Sequence, residues 1–271
     1  GNGEHAFVRP VHWGCALFGD VVIDVDLFGH QADRYSYGHR FHSPAKFAIT
    51  SADAYEDLLE ANHVMVDFAK RRQAIQIAAD AEATLQGGHI EWDGSLLDEV
   101  TAIVEWPVAL VAGFDESFLS VPKEALVSAM QGHQKSFPVC HENGDLLPKF
   151  IFIANIESSN PIQVISGNEK VMHARLSDAA FFYEMDLKTP LADRQQGLKQ
   201  VLFHNKLGTI YERTQRIKTL ASTIVKQSQL SVDDAELTRA ADLCKCDLMT
   251  DMVNEFTELQ GTMGYYYAKE N

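Results

Sequence analysis

The sequence lacks an apolar run long enough to span a bilayer; its longest, around Phe150 to Ile156, suits a buried strand. Cysteine is scarce and scattered, at Cys15, Cys140, Cys244 and Cys246. Thiols without a repeating spacing exclude a disulfide framework and fit a reducing cytosol. Only Cys244 and Cys246 lie close together, and residues two apart on a helix point to nearly opposite sides, so they do not clamp one metal. Positive charge is short as well. Lys and Arg number 23 against 38 Asp and Glu, a net charge of −15. That balance excludes a general electrostatic grip on nucleic acid. Gly-x-Gly occurs only at Gly1-Asn2-Gly3, so no glycine loop cradles a phosphate.

What is present is enough for a substantial core. Hydrophobic residues make up 46% of 271, which fits one large domain or two ordinary ones. The opening GNGEHAF, without Met, reads as a tag remnant, and a helical pattern still running at Tyr265 to Ala268 reads as an end inside a domain. Charge is uneven. From Asp193 to Lys218, six basic residues (Arg194, Lys199, Lys206, Arg213, Arg216, Lys218) face two acidic ones, a window of +4 that leaves −19 for the rest. Any RNA contact is therefore local, and the same run equally fits a solvated helix face.

Along the first half, Trp13 to Phe18 and Val21 to Leu27 flank Gly19-Asp20 as a hairpin, and Tyr37 to Phe41 and Phe47 to Thr50 read as short strands. Ser51 is placed to cap a helix reaching about Val64. A longer helix runs from about Asp67 to Leu85 and stops at Gly87-Gly88. Lys70, Arg71 and Arg72 sit in its first turns, against the helix dipole, as a backbone-contact patch or as solvated charges. Ser95 to Glu105 is a short helix broken by Trp106-Pro107, Val108 to Phe114 a strand, and Pro122 opens a helix to about Met130. Asn143-Gly144 joins Phe137 to His141 and Leu146 to Ile156 as a hairpin. This half is α+β, an antiparallel sheet with helices. Gly132 to Ser136 groups a base (His133), a cation (Lys135) and a hydroxyl, or is simply a polar loop.

The stretch Val164 to Asp186 divides the chain. Ser166 and Glu169 are spaced as a capping box, Met172, Leu176, Ala179, Ala180 and Tyr183 form one helical face, and Phe181 and Phe182 widen it. Beyond it the pattern is helical: Leu191 to Phe203, Leu207 to Val225, and a helix capped by Ser231 whose inward stripe is Leu237, Ala241, Cys244, Leu248 and Met252. Two domains are expected, 1–163 and 164–271.

Several blocks together carry a family resemblance: FVRPVHW (Phe7 to Trp13), GHRF (Gly38 to Phe41), LLDEVTAIVEWPVAL (Leu96 to Leu110), VPKEALVSAMQGHQKSFPV (Val121 to Val139), NIES (Asn155 to Ser158), ISGNEKV with the following Ala174-Arg175-Leu176, and KCDLMTDMVNEFTELQGTMGYYYA (Lys245 to Ala268). In this order they cover essentially the whole chain, which resembles the β subunit of bacterial two-subunit glycyl-tRNA synthetases.

The resemblance implies a first domain similar to the editing domain of phenylalanyl-tRNA synthetase β subunits, then an incomplete all-α domain similar to HD-type metal phosphohydrolases. It implies a cytoplasmic enzyme of protein biosynthesis that ligates glycine to tRNA(Gly) with ATP. The ATP and glycine site would be on the α subunit, and two α and two β chains would assemble. This piece would have no catalytic residue, metal or cofactor of its own and no membrane role. Its basic candidates for tRNA are Arg71, Arg72, Lys135, Lys170, Arg175, Arg213 and Arg216, although Arg175 and Lys170 also suit ion pairs with Asp178 or Glu169. The HD ligand pattern is degenerate here: His204 stands for the early His, and Cys246-Asp247 for the His-Asp doublet. The alternatives are a metal-dependent phosphohydrolase at those positions or an aminoacyl-tRNA deacylase in the first domain, although fold analogy alone carries neither activity.

Overall fold

A computed structural model describes residues 11–270; Gly1-Asn2-Gly3 and the start of the Phe7 to Trp13 block lie outside them. The chain forms two compact units, each discontinuous in sequence: Gly1–Ala112 with Val139–Glu142 and Ile151–Ser166, and Gly113–Pro138 with Asn143–Phe150 and Gly167–Asn271. No helix among the described residues is long and apolar enough to cross a membrane.

The first unit opens with antiparallel hairpins. β1 (Leu17–Phe18) pairs with β2 (Val21–Val22) around Gly19, whose φ is 59°. The stretch expected to continue as one strand to Leu27 instead breaks. β3 (Asp26–Leu27) pairs with β4 (His30–Gln31), and both connecting residues, Phe28 and Gly29, have positive φ. Two left-handed residues match the twist of a two-residue hairpin, but only Gly29 announces the turn in the sequence. β5 (Tyr35–Tyr37) pairs with β6 (Lys46–Ala48). The strand expected over Tyr37 to Phe41 lies instead at Tyr35–Tyr37, and beyond it Gly38 packs against Asn62 and Ser43: a Cβ there would stand 2.7 Å from the carbonyl oxygens of both.

The Ser51 side chain makes no cap; a 3-10 turn at Ala52–Ala54 leads into α1 (Tyr55–Glu60). That helix stops short of Val64 because His63 turns left-handed, at φ 60°. α2 (Phe68–Leu85) begins where Asp67 accepts from the Lys70 amide at 2.8 Å and ends at left-handed Gly87. After β7 (His89–Ile90), α3 (Gly94–Ile103) is capped by Asp93 and begins one residue before the expected Ser95. Asn155 Oδ1 then holds the break at Trp106, accepting from the Glu105 and Trp106 amides at 2.7 and 2.9 Å.

β8 (Val108–Gly113) follows, then α4 (Lys123–Ser128), β9 (Phe137–Cys140) and β10 (Leu146–Ala154). β9 and β10 flank Gly144, at φ 86°. A four-stranded sheet takes the order β7-β9-β10-β8, and Phe137, Val139, Phe150 and Ile151 in its strands are fully buried.

α5 (Pro161–Leu187) starts at Pro161, where the missing N–H costs nothing. Ser166 and Glu169 therefore lie inside the helix and form no capping box; Glu169 accepts from the Gly113 amide at 3.0 Å. Met172, Leu176 and Ala179 are fully buried, whereas Phe181 is exposed, so one stripe is covered and not two.

The rest of the second unit is mainly helical, with one departure. Leu191–Lys199 forms a 3-10 helix, and β11 (Leu202–His204) with β12 (Gly208–Thr209) replaces the end of the expected helix. The left-handed Gly208, at φ 82°, turns the chain. α6 (Ile210–Gln227) then begins on a capping box of Thr209 and Glu212. α7 (Asp234–Leu243) is capped by Asp233, not Ser231. The inward stripe expected on one helix is cut into α7, a 3-10 turn at Cys246–Met249, and α8 (Asp251–Glu255), capped by Thr250. α9 (Thr262–Glu270) closes the unit.

Candidate nucleic-acid interface

The basic side chains separate by what already holds them. Arg71 faces inward from α2. It donates to the Thr101 carbonyl at 2.9 Å, to Val66 at 3.3 Å and also to Met65, and burial lowers its pKa. It ties α2 to α3 and to the loop that precedes α2, and presents little to a ligand. Arg72 is paired with Asp98 at 2.6 Å, with both side chains partly in water. Arg175 pairs with Asp178 one turn on, at 3.2 Å, also in water. Such pairs break at little cost, about 1 kcal/mol or less. Lys170 is exposed and pairs with no acid among the described residues, Glu169 being turned to Gly113.

Lys135 takes a left-handed φ of 51° after the turn at Ala129–His133. The neighbouring Ser136 is buried and its hydroxyl donates to the Gln134 carbonyl at 3.2 Å. The base, cation and hydroxyl expected together at 132–136 are thus not offered together, because Phe137 draws Ser136 into the core with it.

The positive window from Asp193 to Lys218 divides in the same way. Arg194 is held by Asp186 at 3.1 Å and donates to the Met249 carbonyl at 2.7 Å. Lys218 pairs with Asp242 at 2.8 Å, and Lys199 lies over the Tyr211 ring at 4.8 Å. That leaves three cations on the hairpin and the first turns of α6. Arg213 stacks on the Phe203 ring at 4.3 Å, Arg216 is exposed one turn on, and Lys206 is exposed at the hairpin turn. Sequence reasoning does not single out Lys206 as a contact residue; the Gly208 turn that presents it is the available signal.

The HD positions have other occupations. His204 is exposed on β11 and its Nδ1 accepts from the Lys206 amide at 3.1 Å. Cys246 is buried and its thiol donates to the Asp242 carbonyl at 3.3 Å. Burial pushes that thiol up to about 12, which opposes the thiolate a metal needs. Asp247, fully buried, accepts from the Gly261 amide. Among the described residues no three His, Cys, Asp or Glu side chains are grouped to hold one ion.

The family model for the glycyl-tRNA synthetase beta subunit matches residues 1–271. The chain belongs to the glycyl-tRNA synthetase β-subunit family. Its relatives include the glycine–tRNA ligase beta subunit of Pseudoalteromonas atlantica, 49% identical over 271 residues, all of this chain and 39% of that protein. The Stutzerimonas stutzeri beta subunit is 48% identical over 265 residues, 98% of this chain and 38% of its own length. That of Salmonella enteritidis is 49% identical over 272 residues, covering 100% of this chain and 39% of the relative. The chain therefore spans about two fifths of the glycyl-tRNA synthetase β subunits it matches. Within the window from Asp193 to Lys218, Lys206, Arg213 and Arg216 form no ion pair among the described residues.

Proposed function

We propose that this chain serves as a segment of a glycine–tRNA ligase β subunit, contributing tRNA binding and assembly to the ATP-dependent ligation of glycine to tRNA(Gly). The observation that carries the reading is the family match along the whole chain. ATP and glycine are assigned to the α subunit, so the segment alone is inactive in ligation. Its partners in this reading are the α subunit, tRNA(Gly) and a second β subunit in an α2β2 assembly, in the cytoplasm.

The first domain is read as editing-type in fold and the second as an HD-like helical domain whose hydrolase ancestry is structural. The raised Cys246 thiol supports the second part of that reading. On a chain of net charge −15, RNA contact rests on a local cluster, and Lys206, Arg213 and Arg216 provide one, with Lys170 and Arg175 as further exposed cations.

The test is co-purification of this chain and of a full-length β chain with an α subunit and tRNA(Gly), followed by aminoacylation. The full-length chain restores ligation and the segment does not. The segment binds tRNA weakly, with an affinity that falls steeply with salt. Tight, salt-independent tRNA binding, or ligation by the segment alone, overturns the reading.

A further inference from the structure

The first unit carries a cleft that the tRNA-binding candidates above do not touch. Tyr35 and Tyr37 point to the same face of β5, two residues apart. Trp13 comes from the segment before β1, its ring centroid 4.8 Å from that of Tyr37 and tilted by 57°. Lys46 is the register partner of Tyr37, yet its ammonium lies over Tyr35, 4.1 Å from the ring centre. All three rings are exposed, Trp13 by 45% and each Tyr by 39%. They border a cavity of about 360 Å³ whose other walls include His30, Gln31 and Asp33.

Exposed aromatic surface around one concavity is costly to leave in water and marks a binding site. The chemistry of the walls selects the ligand. A proline-rich peptide needs an apolar groove, and here the wall is mostly polar. A quaternary ammonium needs an open ring face inside a cage, and the face of Tyr35 is already covered by Lys46. A planar heterocycle with donors and acceptors on its edge satisfies both halves: rings to stack on, polar groups at its rim. Gln31 is spoken for by Asp24, at 2.5 Å, which leaves His12, His30 and Asp33 as the polar rim, Asp33 also accepting from the Arg34 amide at 2.7 Å. Lys46 forms no ion pair among the described residues.

We propose that this cleft takes one unpaired nucleobase of RNA, stacked on Trp13 and Tyr37, with the adjoining phosphate on Lys46. The inference rests on the tRNA-binding reading and adds to it a single-strand site separate from the cations of the second unit. Stacking is tolerant of base identity and uses the ring faces rather than charge, so it suits a surface with few cations.

The test uses this chain and an unstructured hexaribonucleotide, rA6, followed by tryptophan fluorescence and anisotropy. Trp13→Ala and Tyr37→Ala each weaken rA6 binding about tenfold. Tyr37→Phe preserves it. Lys46→Ala lowers the slope of log affinity against log salt by about 0.7. A hexamer carrying 5-iodouridine, cross-linked to the unmutated chain, forms adducts at Trp13, Tyr35 or Tyr37; this arm does not depend on the variants folding. Three results overturn the proposal while leaving tRNA binding intact: adducts found only elsewhere, unchanged rA6 affinity in both alanine variants, or tRNA binding without rA6 binding. A proline-rich peptide that quenches Trp13 and displaces rA6 reassigns the cleft to protein. Failure of both rA6 and tRNA to bind removes the broader reading, and this one with it.

Discussion

The Tyr267 hydroxyl donates to Asp186 Oδ2 at 3.0 Å inside the second unit. The same carboxylate accepts from the Asp251 and Met252 amides, at 3.0 and 2.9 Å, so it also caps α8, and it pairs with Arg194. One acid at the end of α5 thereby fastens three later segments. Asp186→Ala takes the carboxylate from Arg194 and strands two helix amides, and should cost about 3 kcal/mol or more. Tyr267→Phe removes one hydrogen bond and should cost about 1 kcal/mol. Burial first, and then the Asp186 charge, push the Tyr267 hydroxyl up from its ordinary value of 10.0. Its folded pKa is raised, so this contribution is complete below pH 10 and is lost as pH rises beyond it. Urea unfolding at pH 8 and pH 11 should show the gap between Tyr267→Phe and the parent narrowing at the higher pH; a constant gap contradicts the arrangement.

Gly38 offers a sharper case in the first unit. Its ideal Cβ position is 2.7 Å from the carbonyl oxygens of Asn62 and Ser43, and backbone cannot yield cheaply there. Gly38→Ala should cost about 1–3 kcal/mol. The His39 amide, which donates to the Asn62 carbonyl at 2.9 Å, should lose its protection from hydrogen exchange first. Unchanged exchange at His39 would show that the turn relaxes without strain.

These two positions show what can be read in advance. Helices such as α2, and the hairpin around Asn143-Gly144, announce themselves through local rules: a cap, a period, a glycine at the turn. Gly38 is legible as part of a family block, but its reason is the carbonyl of Asn62, distant in sequence, which no local pattern carries. Asp186 looks like the polar end of an amphipathic helix, because its partners Arg194, Asp251 and Tyr267 are gathered only by folding. The passage from helical spacing to the β11–β12 hairpin is of the same kind: Leu202 keeps helical spacing with Leu198, yet it is exposed, and the Gly208 turn decides the geometry. The cations of the candidate interface stand in the sequence as a set; only the fold divides Arg71, which is engaged, from Arg216, which is exposed.

Cys246 provides a chemical readout of the second unit. Burial raises its thiol from 9.0 to about 12. Burial raises the Cys244 thiol as well, so access makes the difference: alkylation by iodoacetamide at pH 8 should proceed slowly at exposed Cys244 and leave buried Cys246 unmodified until the protein unfolds. The sign is that of a raised acid: the protonated thiol favours the fold fully below pH 9, and that share is lost above it. Rapid native-state alkylation of Cys246, mapped by peptide mass, would contradict its burial.

The division between engaged and free cations makes the last prediction, because the two kinds fail differently. Lys206→Ala and Arg216→Ala remove point charges from exposed positions. Each should leave thermal stability within about 0.5 kcal/mol. Each should also weaken tRNA binding and reduce the slope of log affinity against log salt by just under one, as expected for one lost phosphate contact. Arg213→Lys keeps the charge and loses the planar stack on Phe203, so the slope should hold while affinity falls. Arg71→Ala should do the reverse of the first pair. It unties the Thr101 and Val66 carbonyls, lowering stability by about 1–3 kcal/mol, and should leave the salt slope alone. Equal slopes in the parent, Lys206→Ala and Arg216→Ala would place the phosphate contacts elsewhere. A slope changed by Arg71→Ala in the folded protein would mean that its guanidinium leaves those carbonyls for RNA.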